Sequence, residues 1–230
     1  MSLDKKILHI IPAAGKATRF GGIPKFLLPL SKDNFLIKYH ASDLAIKDIN
    51  IKKVIATSSE NFDTLKRMHL DVELIEIESQ TMNETVIEVI DSYPEYDDYL
   101  LTMPDTYFFD NNLLYNLFTK YIENKKTCSV GLFEIQDYQR GKLGQCKLNK
   151  DIVEKVIDKD INCTFKHAWG LIMWNKKFNK FINPNDPHIG YIINPIIKDK
   201  VDVSFSISSS LYYDCGTFDE YKKLLNDLTE

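Results

Sequence analysis

Cysteine pairs, long apolar runs and a strong charge of either sign are all missing from this sequence. Its 230 residues include four cysteines, and no two of them have the CxxC spacing of a zinc or redox motif. No apolar run is long enough to span a membrane, and the N-terminus lacks the pattern of a signal peptide. We therefore expect a cytoplasmic protein with free thiols and no membrane contact. The thiols belong to Cys128, Cys146, Cys163 and Cys215.

Several other signals are absent as well. The formal net charge of −4 does not favour broad affinity for nucleic acid, and the five histidines have no metal-ligand spacing. Linkers, low-complexity tracts and internal repeats are missing. Hydrophobic residues make up 44% and charged residues 27% of the chain, which is ordinary for a globular protein with a sizeable core. The sequence predicts a single domain over residues 1–230 and is compatible with a homo-oligomer.

What the sequence does have is a distinctive stretch at residues 8–30. The apolar, β-branched run Ile7–Ile11 predicts a buried strand. We expect Pro12 to end the ladder of this strand, because proline has no N–H to donate. Three small residues then form a loop, and they allow backbone to come close to a ligand. They are Ala13, Ala14 and Gly15.

The same loop carries positive charge on Lys16, Arg19 and Lys25. Backbone N–H groups in a turn, together with cations that reach separate phosphates, are suited to a triphosphate. The loop is not a Walker A motif, because Ala17 stands where that motif needs Ser or Thr. It is not the dinucleotide fingerprint either, since the same position would then be glycine.

The stretch instead resembles the signature of the sugar-1-phosphate nucleotidyltransferases, Leu-Ala-Ala-Gly-x-Gly-Thr-Arg followed by Pro-Lys. The pairs Ala14-Gly15, Thr18-Arg19 and Pro24-Lys25 match in order and approximate spacing. Ala17 departs from the signature where the family has its second glycine.

This resemblance implies a set of roles in nucleotide binding and catalysis. The backbone of residues 13–15 and the side chain of Lys16 would bind the nucleotide. Arg19 would stabilise the leaving pyrophosphate. Lys25 would hold the α-phosphate and the charge of the transition state.

Strand and helix patterns alternate through the first half of the chain. Strands are predicted at Lys53–Thr57, Val72–Ile77 and Tyr99–Met103. Helices are predicted at Phe35–Ile46, Asn61–Met68, Glu84–Ile90 and Asn112–Ile122. The alternation predicts a Rossmann-like α/β fold with a mixed, mainly parallel sheet and helices on both faces.

The second half contains more strands and fewer helices. Its predicted strands are Cys128–Ile135, Lys142–Leu148, Ile152–Ile157, Ala168–Trp174, Val201–Ser206 and Leu211–Tyr213. We expect them to form an antiparallel extension of the same sheet that carries the acceptor pocket. Thr217 and Glu220 predict a capping box at the start of a C-terminal helix. The apolar face of that helix is expected to comprise Phe218, Tyr221, Leu224, Leu225 and Leu228.

Two carboxylates are candidate ligands for a divalent metal ion. Asp105 follows an apolar strand, at the edge of an α/β sheet where ligands bind. Asp214, in Asp214-Cys215-Gly216-Thr217, resembles the Asp-x-Gly-Thr motif of the family, whose aspartate is the second metal ligand. Nucleotidyl transfer needs neutralised charge and in-line alignment, and Mg²⁺ held by carboxylates and substrate phosphates provides both. We expect Cys215 to be packed rather than reactive.

The resemblance also points to residues that would bind the phosphorylated acceptor. The segment from Val153 to Lys159 is similar to the family's Val-x-x-x-x-Glu-Lys-Pro, with Asp158 in place of Glu. The resemblance implies that Lys159 binds the acceptor phosphate. Lys155 is the alternative candidate for that role. Gly144 matches the glycine of a Tyr-Gly pair. Gly170, in a segment resembling Asn-Ala-Gly, would let the acceptor approach the backbone, and a strand bulge is the alternative explanation.

Gln80 stands where the family places a glutamine that pairs with a pyrimidine base. The residues after it, Thr81 to Thr85, depart from the family's Gly-Thr-Ala. The prediction of a pyrimidine nucleotide therefore depends on Gln80 alone.

The sequence thus predicts an enzyme that couples an NTP to a sugar 1-phosphate, with Mg²⁺ as cofactor, to give an NDP-sugar and pyrophosphate. Two alternatives stay open. One is a cytidylyltransferase for a non-sugar acceptor such as phosphocholine or a polyol phosphate. The other is an inactive sensor that binds a nucleotide or sugar phosphate.

Overall fold

The computed structural model describes residues 6–15, 20–43, 51–110, 112–123 and 128–229. The strands are β1 Ile7–Ala13, β2 Pro29–Ser31, β3 Asn34–Phe35, β4 Ile51–Thr57, β5 Glu73–Glu76, β6 Asp98–Thr102, β7 Thr106–Phe108, β8 Cys128–Glu134, β9 Gly144–Asn149, β10 Ile152–Asp158, β11 His167–Asn175, β12 Val203–Ile207 and β13 Tyr212–Asp214. The α-helices are α1 Leu36–Lys38, α2 Ser59–Arg67, α3 Met82–Ser92, α4 Leu113–Glu123, α5 Ile193–Lys198 and α6 Phe218–Thr229.

Nine strands form one twisted sheet in the order β5-β4-β1-β6-β11-β8-β12-β10-β9. β1 runs parallel to β4 and β6, and β4 runs parallel to β5. β11 is antiparallel to β6 and β8, and β10 is antiparallel to β9 and β12. The predicted fold class and the antiparallel extension are confirmed, although β12 runs parallel to β8 within that extension.

Alternation of side chains along the central strands places apolar surface on both faces of the sheet. Leu8 and Ile10 of β1 join a cluster with α3 and α5, whereas Ile7 joins a cluster with α4 on the other face. β1 is buried along its whole length. All four cysteines are buried free thiols. Among the described residues, no helix is both long enough and apolar enough to cross a bilayer.

The prediction that Pro12 ends the first ladder is wrong. β1 continues to Ala13, with Pro12 opposite Ala56 of β4. The pairing with β6 ends earlier, at Ile10 opposite Leu101. Pro12 therefore lies where β1 has left its β6 neighbour, so the missing N–H interrupts no pairing on that side.

Two further predictions at the C-terminal end need correction. β13 does not extend the large sheet but pairs with β7 in a separate antiparallel ladder. Leu224 of α6 is buried as predicted, whereas the side chain of Phe218 is 57% exposed and rests against the ring of Phe20.

The predicted helix Phe35–Ile46 is α1 followed by a π-helical turn at Tyr39–Asp43, and residues 44–46 lie outside the described residues.

Candidate functional site

A cleft of about 230 Å³ opens where the parallel strands β1 and β6 end. Its walls are the loop after β1, the turn that carries Lys25, the first turn of α3 and the segment after β6. The lining residues are Pro12, Ala13, Ala14, Gly15, Lys25, Phe26, Ser79, Gln80, Thr81, Met82, Thr85, Pro104 and Asp105. The structure thus brings the predicted nucleotide loop, the predicted base contact and one predicted metal ligand to a single cleft.

The loop after β1 presents open backbone to this cleft. The carbonyl of Ala13 accepts a hydrogen bond of 3.3 Å from the hydroxyl of Thr57, which fixes the end of the strand. Ala14 is half-buried and Gly15 is exposed, and a Cβ added at Gly15 would meet no atom of the described residues within 4 Å. The backbone there is accessible to a ligand from several directions. Lys16 and Arg19, predicted to act in this loop, lie outside the described residues.

Lys25 begins a short 3₁₀ turn, Lys25–Leu27, directly after Pro24. Phe26 and Leu28 are buried, so the turn is anchored directly after Lys25. The ammonium group of Lys25 donates to the carboxylate of Asp105 at 2.7 Å, in an ion pair whose side chains are 22% and 25% exposed. The pair places a cation and a carboxylate together at the floor of the cleft.

Asp105 and Asp214 come together through the small ladder of β7 and β13. Asp214 lies opposite Thr106, and the backbone N–H of Cys215 donates to the carbonyl of Asp105 at 3.0 Å. Burial and, second to it, the negative charge of Asp105 raise the pKa of Asp214 to about 7, against the opposing effect of the charge of Lys25. Cys215 is fully buried, and burial raises its pKa, in accord with a packed thiol.

These two carboxylates fit a hard divalent cation. An ionised Asp214 beside Asp105 has an electrostatic cost that the charge of Lys25 offsets only in part, and a bound cation relieves the rest. In the part of the chain that the structure describes, no third metal-ligating side chain joins them. A two-carboxylate site of this kind is typical of Mg²⁺ that is completed by substrate phosphates and water.

Gln80 lies at the rim of the cleft, immediately before α3. The residues that follow it form a capping box, in which the hydroxyl of Thr81 accepts from the N–H of Glu84 at 3.0 Å. The carboxylate of Glu84 in turn accepts from the N–H groups of Gln80 and Thr81 at 2.5 and 3.2 Å. The departure from Gly-Thr-Ala after Gln80 therefore has a structural reason, since these residues start a helix. The box fixes the backbone of Gln80 at the cleft.

The hairpin of β9 and β10 brings Lys159 towards the carboxylates. Lys159 has a positive φ of 49°, and its N–H donates to the carbonyl of Leu143 at 3.2 Å. Its side chain is exposed, and its charge is close enough to lower the pKa of Asp214. The predicted acceptor lysine is therefore on the metal-site side of the hairpin.

The two glycines predicted to bind the acceptor have packing roles. A Cβ at Gly144 would lie 2.3 Å from the indole Nε1 of Trp169. A Cβ at Gly170 would lie 2.6 Å from the ring of Phe133 and 2.7 Å from that of Tyr212. The register of β11 against β8 shifts at Gly170, as in the bulge considered above. The structure places Gly170 in the core rather than on a cleft wall.

Some residues of the site were not found from the sequence. Ser79 and Thr85 line the cleft, and their hydroxyls are 2.6 Å apart. Glu220 is buried beside Asp214, where Thr217 donates to it at 3.0 Å and Lys142 at 2.7 Å. The predicted capping box indicated the position of Glu220 in the helix. The ion pair of Glu220 could not be predicted in this way, because its partner Lys142 lies 78 positions earlier in the chain.

Comparisons with solved structures agree with this architecture. A Bacillus anthracis protein assigned as a glucose-1-phosphate thymidylyltransferase, in complex with sucrose, is 17% identical, with a TM-score of 0.81 over 97% of this chain and 96% of that one. The UTP-bound UGPase of Acinetobacter baumannii is 16% identical, with a TM-score of 0.75 over 97% and 93%. A UDP-glucose pyrophosphorylase in complex with UDP-glucose is 15% identical, with a TM-score of 0.74 over 98% of each chain.

At these identities the solved structures establish the fold, and the family follows from the sequence match. No curated protein sequence matches the chain. The family of MobA-like NTP transferase domains matches residues 9–139, more than half of the chain and most of the cleft described above. With this match, the expected nucleotidyltransferase resemblance is confirmed, and the chain belongs to the MobA-like NTP transferase family.

Proposed function

We propose that this enzyme transfers a nucleotidyl group from an NTP to a phosphorylated small molecule. A phosphate oxygen of the acceptor attacks the α-phosphorus of the NTP and forms a new P–O–P bond. The bond between the α-phosphorus and the bridging oxygen breaks, and pyrophosphate leaves with the electron pair. The observation that carries the proposal is the meeting of Lys25, Asp105 and Asp214 beside an open glycine loop.

Asp105 and Asp214 would hold Mg²⁺. The ion, when bound, supplies positive charge to the phosphates and a template for in-line displacement. The acceptor phosphate is itself anionic near neutral pH, since the second pKa of a phosphomonoester is about 6. The reaction therefore needs no general base from the protein.

Lys25 would hold the α-phosphate, whose charge changes during transfer. If a metal ion were bound by Asp105, the ammonium group of Lys25 would still be held beside the cleft by the turn Lys25–Leu27. Backbone groups of residues 13–15 would contact the phosphates, with Lys16. Arg19 would stabilise the leaving pyrophosphate.

The nucleotide is proposed to be a pyrimidine nucleotide. Gln80 carries this proposal, because its amide offers both a donor and an acceptor to the edge of a base. Two of the solved structures support it, since one is described with UTP and another with UDP-glucose. The rigid start of α3 would hold Gln80 in place.

Two classes of acceptor are considered for the proposed reaction. A sugar 1-phosphate is supported by the names of the solved structures, which include glucose-1-phosphate thymidylyltransferase and UDP-glucose pyrophosphorylase. Lys159 would grip the acceptor phosphate, with Gly144 and Gly170 shaping the surrounding strands. A non-sugar acceptor is supported by the cavity beside Asp158, which is lined by aromatic side chains.

Pyrophosphate release tests the proposal directly. The purified protein would be assayed with Mg²⁺ and each of UTP, CTP, dTTP, ATP and GTP, against glucose 1-phosphate, glycerol 3-phosphate and phosphocholine. We expect release that depends on both substrates, with a pyrimidine nucleotide preferred in kcat/KM. A preference for ATP or GTP would remove Gln80 from the base site. Binding of NTP without release for any acceptor would favour the inactive sensor.

A further inference from the structure

A second cavity, of about 280 Å³, lies beside the hairpin of β9 and β10. It is lined by Val156, Asp158, Trp169, His188, Gly190, Tyr191 and Asn194. Asp158 ends β10 and directly precedes Lys159, whose charge acts on Asp214. The cavity therefore lies next to a lysine whose charge reaches the carboxylate site.

Aromatic rings form much of the cavity wall. The rings of Trp169 and His188 are 5.6 Å apart between centroids, and those of His188 and Tyr191 are 4.9 Å apart at 72°. The indole is held between two glycines, because a Cβ at Gly144 or at Gly190 would lie 2.3 Å from it. Both glycines are thus required for a tryptophan at this position.

Among the described residues that line the cavity, Asp158 is the only one with a carboxylate. Asp158 accepts from His188 Nε2 at 3.3 Å and from the hydroxyl of Tyr191 at 3.4 Å. Burial acts to raise its pKa, but these hydrogen bonds and the charges of His188 and Lys159 hold the pKa below its usual value. No lysine or arginine of the described segments lines the cavity.

The wall has little free hydrogen-bonding capacity for the hydroxyl groups of a sugar. The side chain of Asn194 is bonded at both ends to the backbone of Val156, at 2.8 and 2.9 Å. Among the described residues, the Nε1 of Trp169 and the Nδ1 of His188 have no hydrogen-bond partner, but both atoms are buried and neither is open to solvent. A hexose presents several hydroxyl groups that lose water on binding, and each one without a partner has a cost.

We propose, on the basis of the nucleotidyltransferase function above, that this cavity binds the quaternary ammonium head of a phosphorylated amino alcohol. The faces of tryptophan and tyrosine attract a desolvated cation, and such aromatic cages recognise quaternary ammonium groups. The Asp158 carboxylate adds Coulombic attraction without needing a hydrogen bond from the ligand. Bound in this way, phosphocholine would direct its phosphate towards Lys159 and the two aspartates.

The decisive comparison uses phosphocholine and 3,3-dimethylbutyl phosphate, in which carbon replaces the charged nitrogen and the shape is kept. In the pyrophosphate-release assay, we expect kcat/KM for phosphocholine to exceed that for the neutral isostere and for glucose 1-phosphate by at least tenfold. Equal values for phosphocholine and its isostere would overturn the proposal, and so would a preference for glucose 1-phosphate. Either outcome leaves the proposed nucleotidyl transfer intact.

A binding measurement separates failure of this proposal from failure of the proposed function. If no acceptor supports pyrophosphate release, nucleotidyl transfer is contradicted, and choline chloride still tests the cavity. We expect choline to perturb the NMR signals of the Trp169 indole and to leave those of Trp174, buried elsewhere, unchanged. Absence of any shift at Trp169 at millimolar choline would refute the cation site.

Variants of the cavity wall complete the test. Tyr191→Leu and Asp158→Asn should each raise the KM for phosphocholine tenfold or more, with the KM for the NTP unchanged. Tyr191 is 39% exposed, so its replacement leaves the packed indole in place. Glu154→Gln is the matched control, because Glu154 is an exposed acid on the same strand that pairs with Lys147. An equal rise in the KM for phosphocholine in Glu154→Gln would contradict the role of Asp158, because general surface charge would then explain the effect.

Discussion

At the scale of the residue, Lys25 has a rigid support. Pro24 has φ −60° and ψ 120°, which brings the chain in extended form to the turn, and Leu28 N–H closes the turn on the Lys25 carbonyl at 3.0 Å. A cation held in this way is organised before the reaction, so it stabilises developing charge more than it strengthens substrate binding.

Lys25→Ala should therefore reduce kcat more than it raises the KM for the NTP. By analogy with the loss of one preorganised donor, we expect a cost of roughly 3 kcal/mol, about a hundredfold in kcat. Single-turnover kinetics at saturating substrate measures this change. Lys32→Ala, at the exposed β2–β3 turn, is the control. An unchanged chemical rate in Lys25→Ala would exclude Lys25 from catalysis.

The paired carboxylates lead to a second prediction at this scale. Asp105→Asn and Asp214→Asn each remove a charge that a divalent ion needs, so both variants should require far more Mg²⁺ for half-maximal activity. We expect the folded structure to persist in both, as judged by circular dichroism. EDTA in excess should abolish pyrophosphate release by the wild type. Full activity in EDTA would contradict the two-aspartate metal site.

At the scale of the element, the cap of α3 combines stability with positioning. Thr81 caps the helix and also donates its hydroxyl to the carbonyl of Pro184 at 2.6 Å. We expect Thr81→Ala to cost about 1 kcal/mol, which lowers the Tm by roughly 2–4 °C. The variant should also weaken discrimination between bases, since Gln80 adjoins the cap. Ser92→Ala, at the other end of the same helix, should leave discrimination unchanged. If Thr81→Ala and the wild type prefer the same base to the same extent, the helix cap does not contribute to base recognition.

Local patterns predicted most of the elements but missed features that depend on distant partners. The apolar run at Ile7–Ile11 and the helix after Asn112 depend on their own side chains, and both are present. The ladder of β7 and β13 depends on pairing across about a hundred residues, and no local pattern indicates it. The missing N–H of Pro12 does not end β1, because only one neighbouring strand is paired at that position.

At the scale of the whole molecule, the same distinction separates the two cavities. In the nucleotide cleft, the loop and Lys25 belong to one contiguous motif and Asp105 follows a strongly apolar strand, so local patterns predicted all three, and they lie together. The roles of these residues stay predictions, as does the extent of one domain over residues 1–230. The aromatic cavity combines Trp169 with His188 and Tyr191, which no sequence spacing links. These residues are close together only because the fold places β10 and β11 beside the segment before α5.

A buried histidine pair connects three parts of the molecule. His9 of β1 and His40 of the π-helical turn both contact the hydroxyl of Thr102 on β6, at 2.7 and 3.1 Å, and His40 Nε2 donates to the carbonyl of Thr106 at 2.7 Å. Neutral rings satisfy this chain of bonds. Burial lowers the pKa of His9 well below its usual value. It also lowers the pKa of His40 to about 4, against the raising effects of the bond to Thr106 and the charge of Asp105.

Acid should therefore destabilise the fold through these two rings. In the unfolded chain each histidine gains its proton near pH 6.5, whereas in the folded chain it does so at lower pH. Their contribution to stability is complete above pH 6.5 and is lost as the pH falls towards 4, with a slope of up to about 1.4 kcal/mol per pH unit for each ring. Asp214 acts in the opposite sense, because its raised pKa makes the folded state bind a proton first as the pH falls through 7.

Urea unfolding of Asp214→Asn between pH 7.5 and 5 isolates the contribution of the histidines, since that variant lacks the opposing carboxylate. We expect its free energy of unfolding to fall more steeply below pH 6.5 than that of the wild type. His69→Asn, at an exposed position with a φ of 49° that asparagine tolerates, should keep the wild-type slope. NMR titration gives the direct check, because the signals of His9 and His40 should not shift above pH 5. A ring of His40 that titrates near pH 6.5 in the folded protein would show that the histidine pair does not govern acid stability.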